Sequence, residues 1–516
     1  MSQNQIIGTD SNDYLSDSAL DDEIFASSGN DEIETTSGND LVDGAAGTDK
    51  LIVNYSIYED DLVFSLQDYG NLDLDGLLEI NFLSTGNNNY INFYSIEQIE
   101  IAGGLGFDRL VIDYTSDDGN YHLTTHPRSN HIQISNPDTG NGKTINFNSI
   151  ESFDINTGNG DNYIMLSIGH LDGSSSDDII NAGGGNDWIY TDKGSDIVDG
   201  GAGFDVLSVS FVDNTSGVIS TITGDGSGEY SSDKTSVEFN QIEAVDIVGS
   251  SYDDVLIAFA YDNAAYRQAH SHSSPAINGG LGFDELVVDY SYGVNQTTDL
   301  GIYSYNSSLL SHNPQTNAVN MLDFQNIEAF NITTGEGNNI INLGYDNSSN
   351  DTIDAGGGDD EIVIGKGFDV VDGGNGYDVL TLNFSSSSTK ITSSLSKSHS
   401  GTYSNNDETL RVDFTRLEAL NIIGSSEDDL LHGLRGEDTI YAGLGNDTVR
   451  SGNGDDYLTG LDGEDLLIGA NGDDSIYGGS GIDTIVGGNG NDLIDGNGDR
   501  DILLGGNGND TIKGGT

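Results

Sequence analysis

Ten aspartates stand nine residues apart near the C-terminus: Asp429, Asp438, Asp447, Asp456, Asp465, Asp474, Asp483, Asp492, Asp501 and Asp510. Two places after each comes an aliphatic residue, from Leu431, Ile440 and Val449 through Leu458, Leu467 and Ile476 to Ile485, Ile494, Leu503 and Ile512. Glycines crowd the loop before each aspartate, as in Gly487-Gly488-Asn489-Gly490-Asn491-Asp492. A period kept this strictly constrains geometry, because a nonapeptide that drifted would lose its stacking partner. Glycine visits positive φ readily, so the loop carbonyls can turn toward a common centre. The three residues that follow fit a short strand whose middle aliphatic side chain points inward. One nonapeptide thus reads as loop plus strand, and two make one turn of a flattened parallel coil. A hard cation such as calcium, which takes six to eight oxygens from carboxylates and carbonyls, suits such a loop. Without a cation the stacked carboxylates repel, the interior is thin, and disorder is the expected state.

The pattern, GGxGxDxUx, resembles the repeat of the hemolysin-type (RTX) calcium-binding family. The resemblance implies a β-roll in which each ion lies between a loop and the loop eighteen residues further on. Ten loops then hold roughly eight ions. It also implies one-step (type I) export of an unfolded chain that folds outside the cell.

The same nonapeptide recurs upstream. Two internal blocks keep the register, Asp178, Asp187, Asp196, Asp205 and Asp351, Asp360, Asp369, Asp378, and isolated copies end at Asp108 and Asp284. These aspartates, with carbonyls of their glycine loops, join the ten C-terminal ones as candidate calcium ligands. The N-terminal Asp13, Asp22, Asp31, Asp40 and Asp49 follow the period, but their glycine loops are eroded, as in Asp17-Ser18-Ala19-Leu20-Asp21. Over the whole chain this gives roughly fifteen calcium ions.

A longer repeat is superimposed. Five times the coil leaves its period, at Leu51–Ser56, Leu110–Thr115, Leu207–Phe211, Leu286–Ser291 and Leu380–Ser385. It returns through Ile96-Glu97, Ile150-Glu151, Ile242-Glu243, Ile327-Glu328 and Leu417-Glu418, with Phe147, Phe239, Phe324 and Phe414 three places before the last four steps. Alternating β-branched and polar residues predict strands, so each excursion reads as an antiparallel hairpin or small meander growing from the edge of the coil. Recurrence of the glutamate steps argues for a structural corner role. All four prolines, Pro127, Pro137, Pro275 and Pro314, fall outside the nonapeptide blocks, as hydrogen-bonded ladders require.

The fold class is therefore all-β, a parallel β-roll or β-helix solenoid interrupted by antiparallel β excursions, with one aliphatic residue per strand inside. Its expected blocks are a degenerate N-terminal coil over 8–52, excursions over 53–149 around a repeat at 103–110, and a coil over 150–207. Excursions follow over 208–326 around repeats at 249–256 and 279–286, then a coil over 327–381, an excursion over 382–416 and the C-terminal roll over 417–516.

Composition narrows the function. Eighty-six acidic residues against 16 basic ones give a net charge of −70, which excludes nucleic acid and anionic membrane as natural partners. There is no cysteine, hence no disulfide, thiolate metal site or thiol nucleophile. Met1–Gly8 lacks the basic and apolar regions of a signal peptide, and no apolar run reaches membrane-span length. The sequence stops at Gly514-Gly515-Thr516, within a repeat, without the non-repetitive segment that exported relatives carry, so an uncapped last coil is expected. Neither H-E-x-x-H nor G-x-S-x-G occurs. His122, His126 and His131, and the pair His270 and His272, read as exposed polar side chains before they read as transition-metal ligands. Tyr290 with Tyr292 and Tyr303 with Tyr305 are spaced to share a strand face, where tyrosines stack on sugars or pack a hairpin.

The expected function is calcium-driven folding of a non-enzymatic extracellular or cell-surface protein, an adhesive or coat component. Its partners are calcium ions and cell-surface polysaccharide or other coat proteins. The rival is a polysaccharide-binding or polysaccharide-active protein, similar to epimerases and lyases that carry such repeats, with its chemistry in residues 113–330. Asp465→Ala and Asp474→Ala are expected to weaken the array cooperatively.

Overall fold

The computed structural model describes residues 4–58, 62–68, 76–82, 87–94, 98–103, 107–114, 119–126, 129–138, 141–148, 150–166, 176–191, 193–224, 226–259, 276–290, 301–305, 308–312, 319–344, 349–397 and 399–515. Strands and turns fill them, and no helix occurs among the described residues. None is therefore long and apolar enough to cross a membrane. The chain divides into two compact units, whose described parts are 4–282 and 283–515.

The second unit shows how the period becomes a coil. Its strands Thr448–Asn453, Leu466–Asn471, Thr484–Asn489 and Ile502–Asn507 pair in parallel, one after the next. The alternate strands Thr439–Leu444, Tyr457–Asp462, Ser475–Ser480, Leu493–Asn497 and Thr511–Lys513 form a second parallel sheet. Register is an eighteen-residue step, with Leu467 beside Ile485 and Ile485 beside Leu503. Leu458, Leu467, Ile476, Ile485 and Ile494 are fully buried, one aliphatic side chain per strand. The first unit opens the same way, Asn4–Ile7, Asp22–Phe25 and Asp40–Asp43 stacking in one sheet, and Tyr14–Ser16, Glu32–Thr35 and Lys50–Asn54 in the other.

The excursions are meanders of three strands, and they do not grow from the edge of the coil. Leu62–Asp68, Gly76–Phe82 and Asn87–Tyr94 run antiparallel to one another. The last pairs in parallel with Asp40–Asp43 and the first with Arg109–Asp113, so the meander is spliced into the sheet. The reason is hydrogen-bond supply: an outer strand with a coil strand on its free side leaves no unpaired N–H or C=O row. The next meander, His122–His126, Ser129–Asn136 and Asn141–Asn148, enters the opposite sheet between Gln98–Ala102 and Tyr163–Met165. The third returns to the first sheet, Ile219–Gly224, Ser227–Ser231 and Ser236–Asn240 lying between Ser195–Asp199 and Val255–Phe259. In the second unit Gly301–Tyr305, Ser308–His312 and Val319–Gln325 enter one sheet, and Ile391–Lys397, Ser400–Asn405 and Arg411–Thr415 the other.

Around the meanders the interior is wider than one aliphatic residue per strand. Phe147, Phe239, Phe324 and Phe414, the residues before each glutamate step, all point inside. Phe147 meets Phe153 at 5.1 Å between ring centroids, Phe239 stacks on Tyr230 at 5.1 Å, and Phe414 lies 6.1 Å from Tyr403. Buried aromatic pairs of this kind add about 0.5–1.5 kcal/mol each beyond the area they bury. Pro137 lies in the turn after Ser129–Asn136, while Pro127, Pro275 and Pro314 lie outside the described residues.

Candidate metal centre

Each repeat aspartate closes a glycine loop and opens a strand, and in the array its side chain turns inward. The backbone N–H at that corner lies beyond the reach of the strand ladder, so it needs a side-chain acceptor. The aspartate eighteen residues later provides it. The Asp465 N–H donates to Oδ1 of Asp483 at 2.9 Å, and Asp465 Oδ1 accepts the N–H of Asp447 at 2.8 Å. One column links Asp429, Asp447, Asp465, Asp483 and Asp501. A second links Asp438, Asp456, Asp474, Asp492 and Asp510. Upstream the same bond joins Asp13 to Asp31 and Asp31 to Asp49, Asp22 to Asp40, Asp178 to Asp196, Asp187 to Asp205, Asp351 to Asp369 and Asp360 to Asp378. Just outside, a ladder runs the opposite way: the N–H of Asn491 donates back to Oδ1 of Asp473, and that of Asp473 to Oδ1 of Asp455, both at 2.7 Å.

The second carboxylate oxygen separates the candidate ligands into two kinds. Where the residue four places earlier is left-handed, its N–H turns away and the oxygen is left bare. Gly443, Leu461, Ala470, Gly479 and Gly488 have φ of 123°, 77°, 87°, 122° and 128°. The matching Oδ2 atoms of Asp447, Asp465, Asp474, Asp483 and Asp492 are buried without a hydrogen-bond partner. Asp31, Asp187, Asp205, Asp360 and Asp378 follow the same rule after Ser27, Gly183, Gly201, Gly356 and Gly374. Where that residue is Ser425 or Leu434, its N–H instead reaches Oδ2 of Asp429 or Asp438 at 2.7 Å and closes the loop. A buried, unpartnered carboxylate oxygen is costly unless a cation or proton meets it. Five places before Asp465, Asp474, Asp483, Asp492, Asp205 and Asp378 stands a glycine, and before Asp447, Asp31, Asp187 and Asp360 an alanine, so that position stays small. A Cβ on Gly460, Gly478 or Gly487 would lie 2.1, 2.3 or 2.2 Å from the bare oxygen of Asp465, Asp483 or Asp492. Donor chemistry and space both fit calcium, which Oδ2 and the loop carbonyls would hold.

The electrostatics agree. Burial, before any other cause, pushes the carboxyls of Asp187 up to about 9, Asp360 and Asp438 to about 8, and Asp447, Asp474, Asp178, Asp205 and Asp369 to about 7. Asp351, Asp378, Asp456 and Asp465 rise to about 6 by the same cause. Charges in the same column add to the shift, Asp465 on Asp447 and Asp456 on Asp438, against the lowering by backbone N–H groups. A bound cation reverses this logic and keeps the carboxylates ionised.

Two kinds of substitute stand in the columns. Glu151, Glu243, Glu328 and Glu418, the return-step glutamates, accept the N–H of Asp108, Asp205, Asp284 and Asp378 at 2.8, 2.8, 3.0 and 2.9 Å. They do across an excursion what the next aspartate does within the coil. Asp108 in turn accepts the N–H of Leu62 at 2.9 Å, and Asp284 is fully buried. Asn162 and Asn339 occupy aspartate positions that the period search passed over. The Asn162 amide donates to Gly160 O at 2.7 Å, Thr157 Oγ1 at 3.2 Å and Ala182 O at 3.3 Å. Asn339 does the same to Gly337 O, Thr334 Oγ1 and Ala355 O. An –NH₂ group thus covers the loop carbonyls that an aspartate loop leaves for an ion. The signal was present in Thr157-Gly158-Asn159-Gly160-Asp161-Asn162 with Ile164 two places on. Asp254, also missed, is a closed corner, accepting from Val218 and Ser250 at 2.7 Å each. Asn162→Ala is expected to cost about 1–3 kcal/mol, the price of orphaning buried groups, with calcium stoichiometry unchanged. Thermal melts in saturating calcium beside a metal-content assay check both halves.

Other candidates separate. His122 lies against Tyr163 at 5.6 Å. Residue 122 is opposite Ser135, four places from His131, or about 13 Å along the strand. No histidine joins a metal-sized cluster among the described residues. The side chain of His126, and His270 and His272, lie outside the described residues. Tyr290 is buried, which removes it as a sugar platform; Tyr292 and the side chains of Tyr303 and Tyr305 lie outside the described residues.

The RTX calcium-binding nonapeptide repeat, in its four-copy form, matches residues 17–51, 172–207, 333–371, 345–380, 421–449, 450–485 and 477–512. No curated protein matches the chain.

Proposed function

We propose, from the RTX calcium-binding nonapeptide repeats that match several stretches of the chain, that calcium is its folding switch outside the cell. The observation that carries the reading is the row of bare, buried aspartate oxygens over left-handed loops. About fifteen ions in all meet these aspartates and the loop carbonyls beside them, and extracellular-type sites fill at roughly 0.1–1 mM calcium. In an ion-poor cytosol the chain stays unfolded and threadable; outside, it coils. We read the folded protein as a non-enzymatic surface, adhesive or coat component. The meanders support this, because they spend inward residues on the core and return-step glutamates on backbone N–H groups. A calcium titration of the metal-free chain at neutral pH, followed by far-ultraviolet circular dichroism, is expected to show a steep rise of strand signal between those concentrations. A strand signal indifferent to calcium would reject the reading.

One observation favours polysaccharide as partner. Tyr441, Tyr457 and Tyr477 form a ladder on the outer face of the C-terminal array, with ring centroids 5.8 and 5.4 Å apart, and the first two are exposed. Spaced rings suit stacking on sugar faces. A glycan array in calcium, with a reducing-sugar assay alongside, separates the possibilities. Binding lost in Tyr457→Ala supports a sugar partner, while turnover of any glycan overturns the non-enzymatic reading.

A further inference from the structure

The eroded N-terminal loop places a carboxylate at a position where the C-terminal loops have none. Asp17 stands five places before Asp22, where the C-terminal loops keep glycine apart from Ala442 and Ser451. One oxygen from each of Asp17, Asp22 and Asp40 lies within 4.8 Å of the others. Asp22 and Asp40 are buried to 1% and 2% exposure, and Oδ1 of Asp22 and Oδ2 of Asp40 have no hydrogen-bond partner. Their other oxygens are taken, Asp22 Oδ2 by the Ser18 N–H and hydroxyl at 2.8 Å each, Asp40 Oδ1 by the Asp22 N–H at 3.0 Å. Asp17 is fixed by Thr36, whose N–H and hydroxyl donate to its two oxygens at 2.8 and 3.0 Å. That bond also diverts the Thr36 N–H, which by position would close on Asp40 as Ser425 closes on Asp429. Thr35, fully buried five places before Asp40, adds a bare hydroxyl at the corresponding position. Lysine, arginine and histidine make no ion pair with the three carboxylates among the described residues.

We propose that Asp17, Asp22 and Asp40 form a three-carboxylate calcium site distinct in kind from the glycine-loop sites, and that it fills first. Where most loops keep a small residue, Asp17 supplies a third anionic ligand. Calcium affinity rises with the number of charged ligands, so the site takes the ion at least about tenfold more tightly than the C-terminal array. An early-filling coil at this end gives the chain a fixed rung on which later coils stack.

The inference rests on the calcium-folding reading, and one experiment separates their failures. Calorimetric titration of the metal-free full-length chain with calcium is expected to show one ion bound at least about tenfold below the main transition. Asp17→Asn keeps an acceptor for Thr36 and removes the charge, so it should lose that early step with the main transition within twofold of wild type. Asp17→Glu, which keeps the charge, should retain it. A wild-type chain that binds only array-type calcium overturns the proposal whatever the variants do, and so does an Asp17→Asn chain that titrates like wild type. A chain that binds no calcium overturns the parent reading as well.

Discussion

Stripping calcium at pH 7.5 is expected to abolish most of the strand circular dichroism of the intact chain. At ten times its dissociation constant each filled site contributes about 1.4 kcal/mol, so some fifteen sites supply on the order of 20 kcal/mol. An ordinary domain has a total stability of about 5–15 kcal/mol, so little fold should survive their removal. Acid offers a second test. The array carboxyls sit near 3.8 in the unfolded chain and rise to about 6 to 9 when buried without an ion, as in Asp465, Asp438 and Asp187. Between those values the folded chain binds more protons than the unfolded one. Stability of the metal-free coil is then full below about pH 4 and lost as pH climbs through 6 to 9. Lowering metal-free protein from pH 8 to pH 5 should recover strand signal. With calcium present the direction reverses, because protons compete for the same oxygens and calcium affinity falls below about pH 6. A metal-free signal that is flat between pH 5 and 8 would contradict the argument.

Asp465→Ala should be the most damaging single change within the array. It orphans the buried N–H of Asp447, about 1–3 kcal/mol, and removes the bare oxygen, about 1.4 kcal/mol more at tenfold calcium. The sum is roughly 2–4 kcal/mol, or about 5–15 °C in the melting of a unit this size. Asp465→Asn should cost less, since an amide can serve loop carbonyls as Asn162 does, yet it should lower the calcium count. Coupling is expected along a column, not between neighbouring repeats. Asp465 bonds with Asp447 and Asp483, whereas Asp474 belongs with Asp456 and Asp492. Asp465→Ala combined with Asp483→Ala should therefore depart from additivity, and combined with Asp474→Ala it should add. The cooperative weakening expected because each loop serves its stacked neighbours is thereby assigned to columns, since the loops bonded to one another are eighteen residues apart. Melting curves of the two double and three single variants in fixed calcium decide it.

What could be read from the sequence is what repeats. From Leu431 to Ile494 the aliphatic residue two places after each array aspartate is the buried one, because strand alternation turns it inward and leaves the next inward position to a small residue such as Gly469. The glutamate steps announced a structural role by recurring, although their target, the aspartate N–H across the excursion, has no sequence signature. The splicing of the meanders into alternate sheets was hidden, since pairing partners forty residues apart leave no period. So was the distinction between open and closed loops. It turns on a left-handed φ that Leu461 and Ala470 adopt without being glycine. Asn162 and Asp17 escaped a search for aspartates at fixed spacing because one changes the residue and the other the position.

The two opposed hydrogen-bond ladders also give the array a mechanical character. The inner one clasps each coil to the next through Asp465 and Asp483, the outer one clasps it back through Asn491 and Asp473. A pull along the axis from the C-terminus loads one coil's bonds at a time instead of shearing a whole sheet. Rupture then proceeds in equal steps of eighteen residues, each releasing about 60 Å of chain. Such a roll is expected to yield gradually under tension and to recoil where calcium is present.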